Sequence, residues 1–441
     1  MTSPGPIKRC AQWLAGERLH HPFLKAVGAV AVVRLSGGLL LFLSQVLFAA
    51  WMGTEAFGVY SYAWAWVAVL STIAGVGFSS TSVRFLATYR AQSAYSFMRG
   101  LLRFGRALTL ASSLAIMLCG LGATLFMDPN SPYLGALRVS FLAIPALALL
   151  WLEAAYARGC NWMTLSVLAE QIARPVVLIV LGGALFIAAI GNANAYVIAC
   201  VAAYFIAAGG QHVAVWARLR TELEDGPARR DVRAWLGVAV AMLLLNGAQM
   251  IRLNTDLLFV GWFLEPRDVG IYTAAVRTST LVAFVMTVTS IVAQPDLAAM
   301  HVEKRQADLE RFVSAASRSI FIASLAIGTL LGVFGYWVLE RFGAEFVAAY
   351  PAMMILVVAH VLVAGSGPMT SLLIMTGHQK SAATIVVASA LSAGILNAAL
   401  IPPLGILGAA LATGANLLAA QVALWVAVKR RLGLSIAPFG K

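Results

Sequence analysis

The chain has 441 residues, of which 61% are hydrophobic and only 11% are charged, and its mean hydropathy is +0.86. So few polar side chains cannot cover the surface of a water-soluble protein of this size. The composition therefore excludes a soluble globular domain and indicates an integral membrane protein. The formal net charge of +13 would also suit nucleic-acid binding, and the distribution of the basic residues decides between the two.

Twelve apolar segments are long enough to cross a membrane as helices, since each span needs about 20 residues. An amphipathic segment at 1–26 precedes them, a linker at 218–234 separates two groups of six, and a tail at 429–441 follows. The predicted class is therefore an all-α integral membrane protein with six-helix bundles at 27–217 and 235–428. The spans are residues 27–50, 59–81, 105–127, 135–157, 165–189, 195–216, 235–263, 269–294, 319–339, 349–376, 381–401 and 406–428.

The basic residues alternate between the loops on the two sides of the membrane. Twenty-four of the 31 lie in the N-terminal segment, the tail or the even-numbered connections, and only Arg138, Arg267 and Arg341 lie on the other side. The positive-inside rule then places both termini in the cytoplasm. Membrane topology thus accounts for the net charge, and we expect no nucleic-acid partner.

A short motif is repeated at equivalent places in the two predicted bundles. Residues 47–51 (LFAAW) and 58–60 (GVY) recur as residues 258–262 (LFVGW) and 270–272 (GIY). Each bundle has an even number of spans, so the two copies have the same orientation and the repeat is parallel. Internal repeats in a membrane protein are typical of transporters, whose substrate site lies between the two halves.

The seventh span carries the strongest candidate site. Asn246, Gln249, Arg252 and Asp256 are spaced by three, three and four residues, which predicts that they share one helical face. Charges at mid-membrane cost on the order of 3 kcal/mol and usually face a cavity or a partner. The alternative is that Arg252 and Asp256 neutralise each other as an i,i+4 pair that only stabilises helix packing.

Other spans carry polar residues with the same two interpretations. Arg34 and Gln45 lie about three turns apart in the first span, although Arg34 is close enough to the cytoplasmic end to reach the membrane surface. Arg277 in the eighth span has no carboxylate within one turn, so it and Arg34 would suit an anionic substrate. Acidic candidates are Glu153 and Glu170, the latter with Arg174 four residues later as a possible structural pair.

The second span opens with four aromatic residues, Tyr60, Tyr62, Trp64 and Trp66. Aromatic side chains are typical of the membrane interface, and we predict an interfacial belt for Tyr60 and Tyr62, with a sugar-stacking surface as the alternative. The sequence has no metal-ligand spacing, P-loop or nucleophile elbow. We therefore expect no metal or bound cofactor and no enzymatic activity.

The chain resembles the bacterial polysaccharide and O-antigen flippases of the multidrug/oligosaccharidyl-lipid/polysaccharide exporter superfamily. The resemblance covers essentially the whole chain and rests on family-level patterns. These are Arg34, residues 45–47 (QVL), 53–60 (GTEAFGVY) and 75–78 (GVGF), Asp256, residues 270–272 (GIY) and residues 402–410 (PPLGILGAA).

The resemblance implies a V of two bundles around a central cationic cavity, in the bacterial inner membrane. Such a carrier moves undecaprenyl-pyrophosphate-linked oligosaccharide to the periplasmic leaflet by alternating access, for lipopolysaccharide or exopolysaccharide synthesis. Arg34, Arg252 and Arg277 would hold the pyrophosphate or acidic sugars, and a proton or sodium ion would couple through Asp256, Glu153 or Glu170. Expected partners are membrane lipids and the polymerase and chain-length proteins of the pathway. The 441 residues leave no room for the two extra helices of lipid II flippases.

Two alternatives remain. An ion-coupled multidrug antiporter of the same superfamily would have acids and aromatic residues in its cavity in place of arginines. A membrane polysaccharide polymerase or ligase would carry its reactive groups on a large extracytoplasmic loop, whereas every outer loop predicted for this chain is short.

Overall fold

A computed structural model describes residues 22–223, 226–303 and 306–433. These residues form helices joined by short turns, and no strand occurs among them. Most of the predicted N-terminal segment and of the predicted tail lies outside the described residues. The architecture agrees with the all-α membrane protein that the composition predicts, and the chain is a multi-pass membrane protein.

Nine described helices and one bent pair are long and apolar enough to cross a membrane. Two of the nine, Pro22–Ala74 and Gln379–Leu432, have 53 and 54 residues. A straight helix of that length would extend about 80 Å, far beyond the roughly 30 Å of hydrocarbon in a bilayer. Each is interrupted by a glycine with positive φ, Gly53 at 77° and Gly405 at 58°, a conformation that other residues rarely adopt.

The chain folds back on itself at both glycines. The rings of Phe48 and Tyr60 have centroids 5.6 Å apart, although twelve residues of straight helix would separate them by about 18 Å. Likewise Ser392 Oγ donates to Asn416 Oδ1 at 2.8 Å across the break at Gly405. Each long helix is therefore a hairpin of two spans, which gives the described chain the twelve spans that the hydrophobic pattern predicts.

We number the twelve spans α1 to α12. A further helix, Phe78–Ala91, continues α2 beyond a turn at Gly77. The spans are α1 (22–52), α2 (54–74), α3 (Tyr95–Ala123), α4 (Leu134–Phe141 with Ile144–Gly159), α5 (Met163–Ile187), α6 (Ala193–Glu222), α7 (Val232–Phe263), α8 (Pro266–Val302), α9 (Gln306–Glu340), α10 (Tyr350–Ala364 with Met369–Met375), α11 (379–404) and α12 (406–432).

The molecule has two ends, which we call the hairpin end and the basic end. The hairpin end contains the turns at Gly53, at residues 264–265 and at Gly405, which join α1 to α2, α7 to α8 and α11 to α12. The basic end is the opposite one, where Arg90 and the arginine-rich C-terminus of α12 lie. "First half" means α1–α6 and "second half" means α7–α12.

The repeated motif forms the contact between the two halves at the hairpin end. Gly58 begins its glycine–valine–tyrosine sequence directly against Pro266 and Gly270. A Cβ atom on Gly58 would lie 1.7 Å from the Pro266 carbonyl oxygen, and one on Gly270 would lie 2.1 Å from the Thr54 carbonyl oxygen. Only glycine permits this approach, so the equivalent glycines hold α2 and α8 together backbone to backbone.

Side chains close the same end. Thr54 Oγ1 donates to Glu345 Oε2 at 2.6 Å, and Arg267 Nε lies 3.4 Å from that oxygen. The rings of Phe57 and Phe346 meet edge to face with centroids 5.9 Å apart. The first half is thus joined at the hairpin end both to the α7–α8 turn and to the α9–α10 turn.

At the basic end, the linker and the first turns of α7 pack on the first half. Arg229 N donates to Ser96 O at 3.0 Å, and the fully buried Trp235 donates from Nε1 to Tyr89 OH at 2.9 Å. Gly77 lies against the backbone of Ala239. The linker and α7, which begins at Val232, thus pack on the first half without a break.

Candidate functional site

A cavity of about 710 Å³ lies between the two halves. Residues of α1, α2, α4–α8 and α10–α12 line it, so both halves contribute to one chamber. Its charged residues within the described chain are three arginines and two carboxylates. The polar and aromatic lining consists of Phe42, Gln45, Tyr60, Ser61, Trp64, Trp151, Glu170, Gln171, Arg174, Tyr204, Arg252, Asn254, Asp256, Arg277, Ser279, Thr280, Phe284, Thr287, His360, Asn397, Thr413 and Asn416.

Asp256 on α7 lies in the wall of the second half with only 7% of its surface exposed. Its Oδ2 accepts from Tyr272 OH at 2.9 Å and from Thr413 Oγ1 at 3.3 Å. Its Oδ1 accepts from the backbone N of Leu257 at 2.8 Å. Asp256 makes no ion pair with a described residue, so neutral donors from three places in the chain satisfy its carboxylate.

Arg252 does not pair with Asp256, although the spacing of four residues allows it. The carboxylate of Asp256 is instead bonded to donors on α7, α8 and α12, so the predicted alternative of mutual neutralisation is not what the structure shows. Arg252 and Arg277 both line the cavity, and neither forms an ion pair within the described ranges. Arg277 is accessible, and its accessible surface faces the cavity.

Arg277 also lies near the opposite wall. It is in electrostatic range of Asp256 in its own half and of Tyr60, Arg174 and Tyr204 in the first half. The charged groups of the two walls therefore meet around one arginine.

In the first half, Glu170 and Arg174 also fail to pair as their spacing predicts. Glu170 Oε1 accepts from Trp151 Nε1 at 3.1 Å. Arg174 Nη1 donates to Tyr204 OH at 2.5 Å, and its guanidinium lies over the Tyr204 ring at 5.0 Å. Each charge is held by an aromatic side chain from a neighbouring helix.

A local change of helix type explains the missing pair. Residues Ala169–Ala173 form a π-helical turn, in which the backbone N of Arg174 donates to the carbonyl of Ala169 five residues earlier. Pro175 has no N–H to donate to the carbonyl of Gln171, which removes one α-helical hydrogen bond at this point. The wider turn moves residues four apart off a common face, so the i,i+4 rule does not hold here.

Of the nine predicted site residues, the structure brings five together at the cavity: Gln45, Glu170, Arg252, Asp256 and Arg277. The other four do not line it. Asn246 Nδ2 donates instead to Ser80 Oγ at 3.0 Å, in the contact between α7 and the first half. Gln249 lies outside the lining, and so does Arg34, whose Nε is buried without a hydrogen-bond partner in the described chain.

Glu153 was predicted as an ion-coupling group, but the structure holds it in a buried ion pair away from the cavity. Arg106 contacts both of its carboxylate oxygens, with Nε to Oε1 at 2.7 Å and Nη2 to Oε2 at 3.0 Å. His212 Nδ1 lies 2.7 Å from Oε1. These partners come from α3 and α6, 47 and 59 residues away in sequence, so no local pattern reveals them.

The predicted interfacial belt is also not what the structure shows. Tyr60 and Tyr62 are 4% and 6% exposed, and Tyr60 and Trp64 line the cavity. Tyr62 packs on Gly261 and, with ring centroids 4.3 Å apart, on Tyr133. Because Tyr60 and Trp64 line the cavity, a bound ligand can contact aromatic rings there, as the sugar-stacking alternative requires.

Several cavity residues carry no signal in the sequence. Asn416 accepts from Ser389 and Ser392, and both Asn397 and Asn416 line the cavity. Thr413 and Trp151 had no local signal, because each matters through a residue on a different helix.

Residues 23–301 match the polysaccharide biosynthesis protein family. The chain belongs to this family. The matched region contains the whole first half together with α7 and most of α8, and thus all the charged residues of the cavity. No curated protein matches the sequence.

Solved structures show the fold of this family member. An inward-facing multidrug resistance MATE family transporter of the MOP superfamily is similar with a TM-score of 0.74 and 15% identity, over 91% of this chain and 98% of that one. The lipid II flippase MurJ in an inward closed conformation has a TM-score of 0.71 and 12% identity, over 91% of this chain and 87% of that one. The fold is therefore that of the MOP-superfamily transporters.

The similar structures include two conformations of a MATE family transporter, one inward-facing and one outward-facing. An outward-facing MATE family transporter has a TM-score of 0.66 and 15% identity, over 93% of this chain and 96% of that one, below the 0.74 of the inward-facing form. Contacts between the halves at the hairpin end agree with this. The chain is more similar to the inward-facing arrangement.

Proposed function

We propose that the protein is a flippase that moves undecaprenyl-pyrophosphate-linked oligosaccharide across the bacterial inner membrane by alternating access, and not an enzyme. The family supports a role in polysaccharide biosynthesis, and the fold supports transport between two halves. The product would serve surface polysaccharide assembly, with polymerase and chain-length proteins as partners. The basic end would face the cytoplasm, following the positive-inside rule.

The observation that carries this proposal is the pair of unpaired arginines in the cavity. Arg252 and Arg277 have no ion-pair partner in the described part of the chain, and a charge retained inside a membrane protein without a partner is a functional site by default. A pyrophosphate presents two adjacent anionic groups. Guanidinium groups bind phosphate through two parallel hydrogen bonds, so the two arginines match that charge and geometry.

Asp256 is the proposed coupling group. Its carboxylate forms no ion pair with a described residue, and three neutral donors hold it in place. Nearby Asn397 lines the same cavity with an Oδ1 that has no hydrogen-bond partner among the described residues. A proton or a sodium ion is the kind of cation that such oxygen ligands accept, and its binding would favour one orientation of the two halves over the other.

The closed hairpin end fits one step of this cycle. Substrate would enter the cavity from the cytoplasmic leaflet while Gly58, Gly270 and the Thr54–Glu345 hydrogen bond keep the periplasmic side shut. Release would require these contacts to separate. Both states would use the same cavity, as alternating access demands.

A multidrug antiporter is the second candidate, because several structural neighbours are multidrug resistance MATE family transporters and the cavity contains two carboxylates beside Trp64, Trp151 and Tyr204. Three arginines in the cavity disfavour a cationic drug. Proteoliposomes that exchange a cationic dye for protons and leave lipid-linked sugar unmoved would support the antiporter.

The test of the flippase is export in a strain deleted for the gene. We expect Arg277→Ala to reduce surface polysaccharide by at least about tenfold at equal protein abundance, which corresponds to about 1.4 kcal/mol of lost substrate stabilisation. Arg341→Ala is the matched control, since Arg341 is exposed at the hairpin end. Wild-type export by Arg277→Ala would contradict the proposal.

A further inference from the structure

The first-half wall of the cavity combines aromatic rings with a carboxylate and a guanidinium. We infer that it is a carbohydrate subsite, which holds the first pyranose ring of the substrate while Arg252 and Arg277 hold the pyrophosphate. This inference rests on the proposed function and adds to it the part of the ligand that each wall recognises.

The aromatic surface comes from three helices. Trp64 of α2 and Tyr204 of α6 have ring centroids 5.0 Å apart at an angle of 35°, and Trp151 of α4 lines the same side of the cavity. Aromatic rings carry negative charge on their faces. The C–H groups on the apolar face of a pyranose are slightly positive, so a sugar ring stacks on such a surface with little regard to its identity.

Polar groups for the sugar hydroxyls lie among these rings. Glu170 uses one carboxylate oxygen to accept from Trp151, and its other oxygen has no hydrogen-bond partner among the described residues. Gln171 adds an amide that both donates and accepts. Hydrogen bonds from Tyr204 and Trp151 hold the charged groups in position, which gives the wall the fixed polar geometry of a ligand site.

The charge balance decides which part of the substrate belongs at this wall. Glu170 and Arg174 cancel each other's charge in the first half, so that wall does not favour a polyanion. The second-half wall has Arg252 and Arg277 against one carboxylate, Asp256. A neutral sugar suits the first wall and a pyrophosphate suits the second.

The two walls are close enough to serve one ligand. Arg277 reaches from the second half into electrostatic range of Tyr204 and Arg174. In a lipid-linked oligosaccharide the first sugar is bonded directly to the pyrophosphate. A pyrophosphate bound by Arg277 therefore brings that sugar towards the first-half wall, where Trp64 and Trp151 line the cavity.

The test uses two lipid probes and the purified full chain in phosphatidylcholine nanodiscs. One probe is undecaprenyl pyrophosphate, and the other is the same lipid carrying a single N-acetylglucosamine. We expect the wild-type protein to bind the sugar-bearing probe at least about fivefold more tightly, which is the gain expected from about one stacked ring and one hydrogen bond.

Variants of the first-half wall test whether that wall provides the tighter binding of the sugar-bearing probe. Trp64→Leu and Glu170→Gln should each remove most of it, whereas Trp64→Phe, which keeps a ring, should retain most of it. Trp262→Leu is the matched control, because it makes the same substitution at a tryptophan that is 75% exposed and does not line the cavity. Arg277→Gln should weaken both probes by the same factor and leave their ratio unchanged.

Each outcome separates the two proposals. Equal wild-type affinity for the two probes, or a ratio that survives in both Trp64→Leu and Glu170→Gln, overturns the sugar subsite and leaves the flippase proposal standing. Binding of neither probe by the wild-type protein overturns the proposed function and the subsite with it. Loss of the ratio in Trp262→Leu as well would show a general effect of tryptophan loss and would also overturn the subsite.

Discussion

The two halves of the molecule differ in how their charges are partnered. In the first half, Glu153 is bonded to Arg106 away from the cavity. At the cavity wall of that half, Trp151 donates to Glu170 and Arg174 donates to Tyr204. In the second half, Arg252 and Arg277 face the cavity without an ion pair in the described chain, and Asp256 is held by neutral donors only. Charges of the first half are largely satisfied by the protein itself, whereas those of the second half are left for a ligand or an ion.

This difference arose within a duplicated scaffold. The repeat kept what joins the halves, namely the hairpin turns and the glycines at 58 and 270. It did not keep the polar residues of the walls. Under the proposed function such divergence is expected, because a pyrophosphate and a sugar need different partners.

The largest effect is expected where the halves are still equivalent. Gly58→Ala would place a methyl carbon 1.7 Å from the Pro266 carbonyl oxygen, and Gly270→Ala would place one 2.1 Å from that of Thr54. Neither backbone oxygen can move without moving its helix, so the halves must separate at the hairpin end. We expect both variants to lose polysaccharide export by more than about a hundredfold, since the overlap is with main-chain atoms.

Gly394→Ala controls for the substitution itself, because nothing lies within 4 Å of a Cβ at Gly394 and alanine stabilises a helix interior by about 0.5–1 kcal/mol relative to glycine. Export should be measured at equal abundance of the three variants. Normal export by Gly58→Ala together with loss in Gly270→Ala would show that the motif is no longer equivalent in the two halves.

The second prediction concerns the buried ion pair of the first half. Glu153→Gln leaves the Arg106 guanidinium without its counter-charge, and breaking a buried pair costs about 3 kcal/mol or more. We expect a clear fall in the thermal unfolding midpoint of the detergent-solubilised protein. Glu222→Gln is the control, because its ion pair with Arg90 is more than a third exposed and such pairs contribute at most about 1 kcal/mol.

An unfolding midpoint of Glu153→Gln no lower than that of Glu222→Gln would mean that the first half does not depend on internal charge pairing. The difference in charge pairing between the halves would then have no effect on stability. Transport by the folded fraction of Glu153→Gln should stay close to wild type, since Glu153 does not line the cavity.

The overall fold was predictable from the sequence, and the partners of the charges were not. Span positions and the repeat follow from local hydrophobicity, and Gly53 and Gly405 stand where the pattern changes from one span to the next. The partners of Asp256 lie on α8 and α12, up to 157 residues away in sequence. Such pairings depend on tertiary packing, which single-sequence periodicity does not contain.

Local rules failed at two identifiable places. The π-helical turn before Pro175 separates Glu170 from Arg174, against the i,i+4 rule. On α7, the predicted stripe is divided: Arg252 and Asp256 line the cavity, whereas Asn246 donates to Ser80 of the first half. Helical spacing cannot predict what covers each part of a face.

The third prediction contrasts one carboxylate from each wall. Asp256→Asn keeps the shape of the side chain and removes its charge, so we expect ion-driven transport in proteoliposomes to fall by about tenfold, or about 1.4 kcal/mol. Binding of undecaprenyl pyrophosphate should not weaken, because the substitution removes a negative charge in electrostatic range of Arg277 and leaves both arginines in place. Dependence of transport on the proton or sodium gradient should disappear with the charge.

Glu170→Gln is the matched variant in the first half, and its expected behaviour is the reverse. It should keep the gradient dependence and lose affinity for the sugar-bearing lipid. If both variants lose gradient dependence to the same degree, ion coupling is not confined to the second-half wall but depends on carboxylates of both walls.

The smallest effect is expected at the Thr54–Glu345 hydrogen bond, which has no counterpart in the turn at residues 264–265. Thr54→Val removes the donor and preserves the shape, while Arg267 stays 3.4 Å from Glu345. Glu345 is more than half exposed, and interactions of exposed charges contribute about 1 kcal/mol or less. We expect export to change by no more than about fivefold. If Thr54→Val is as damaging as Gly58→Ala, the side-chain bond, and not the repeated glycine contact, holds the hairpin end closed.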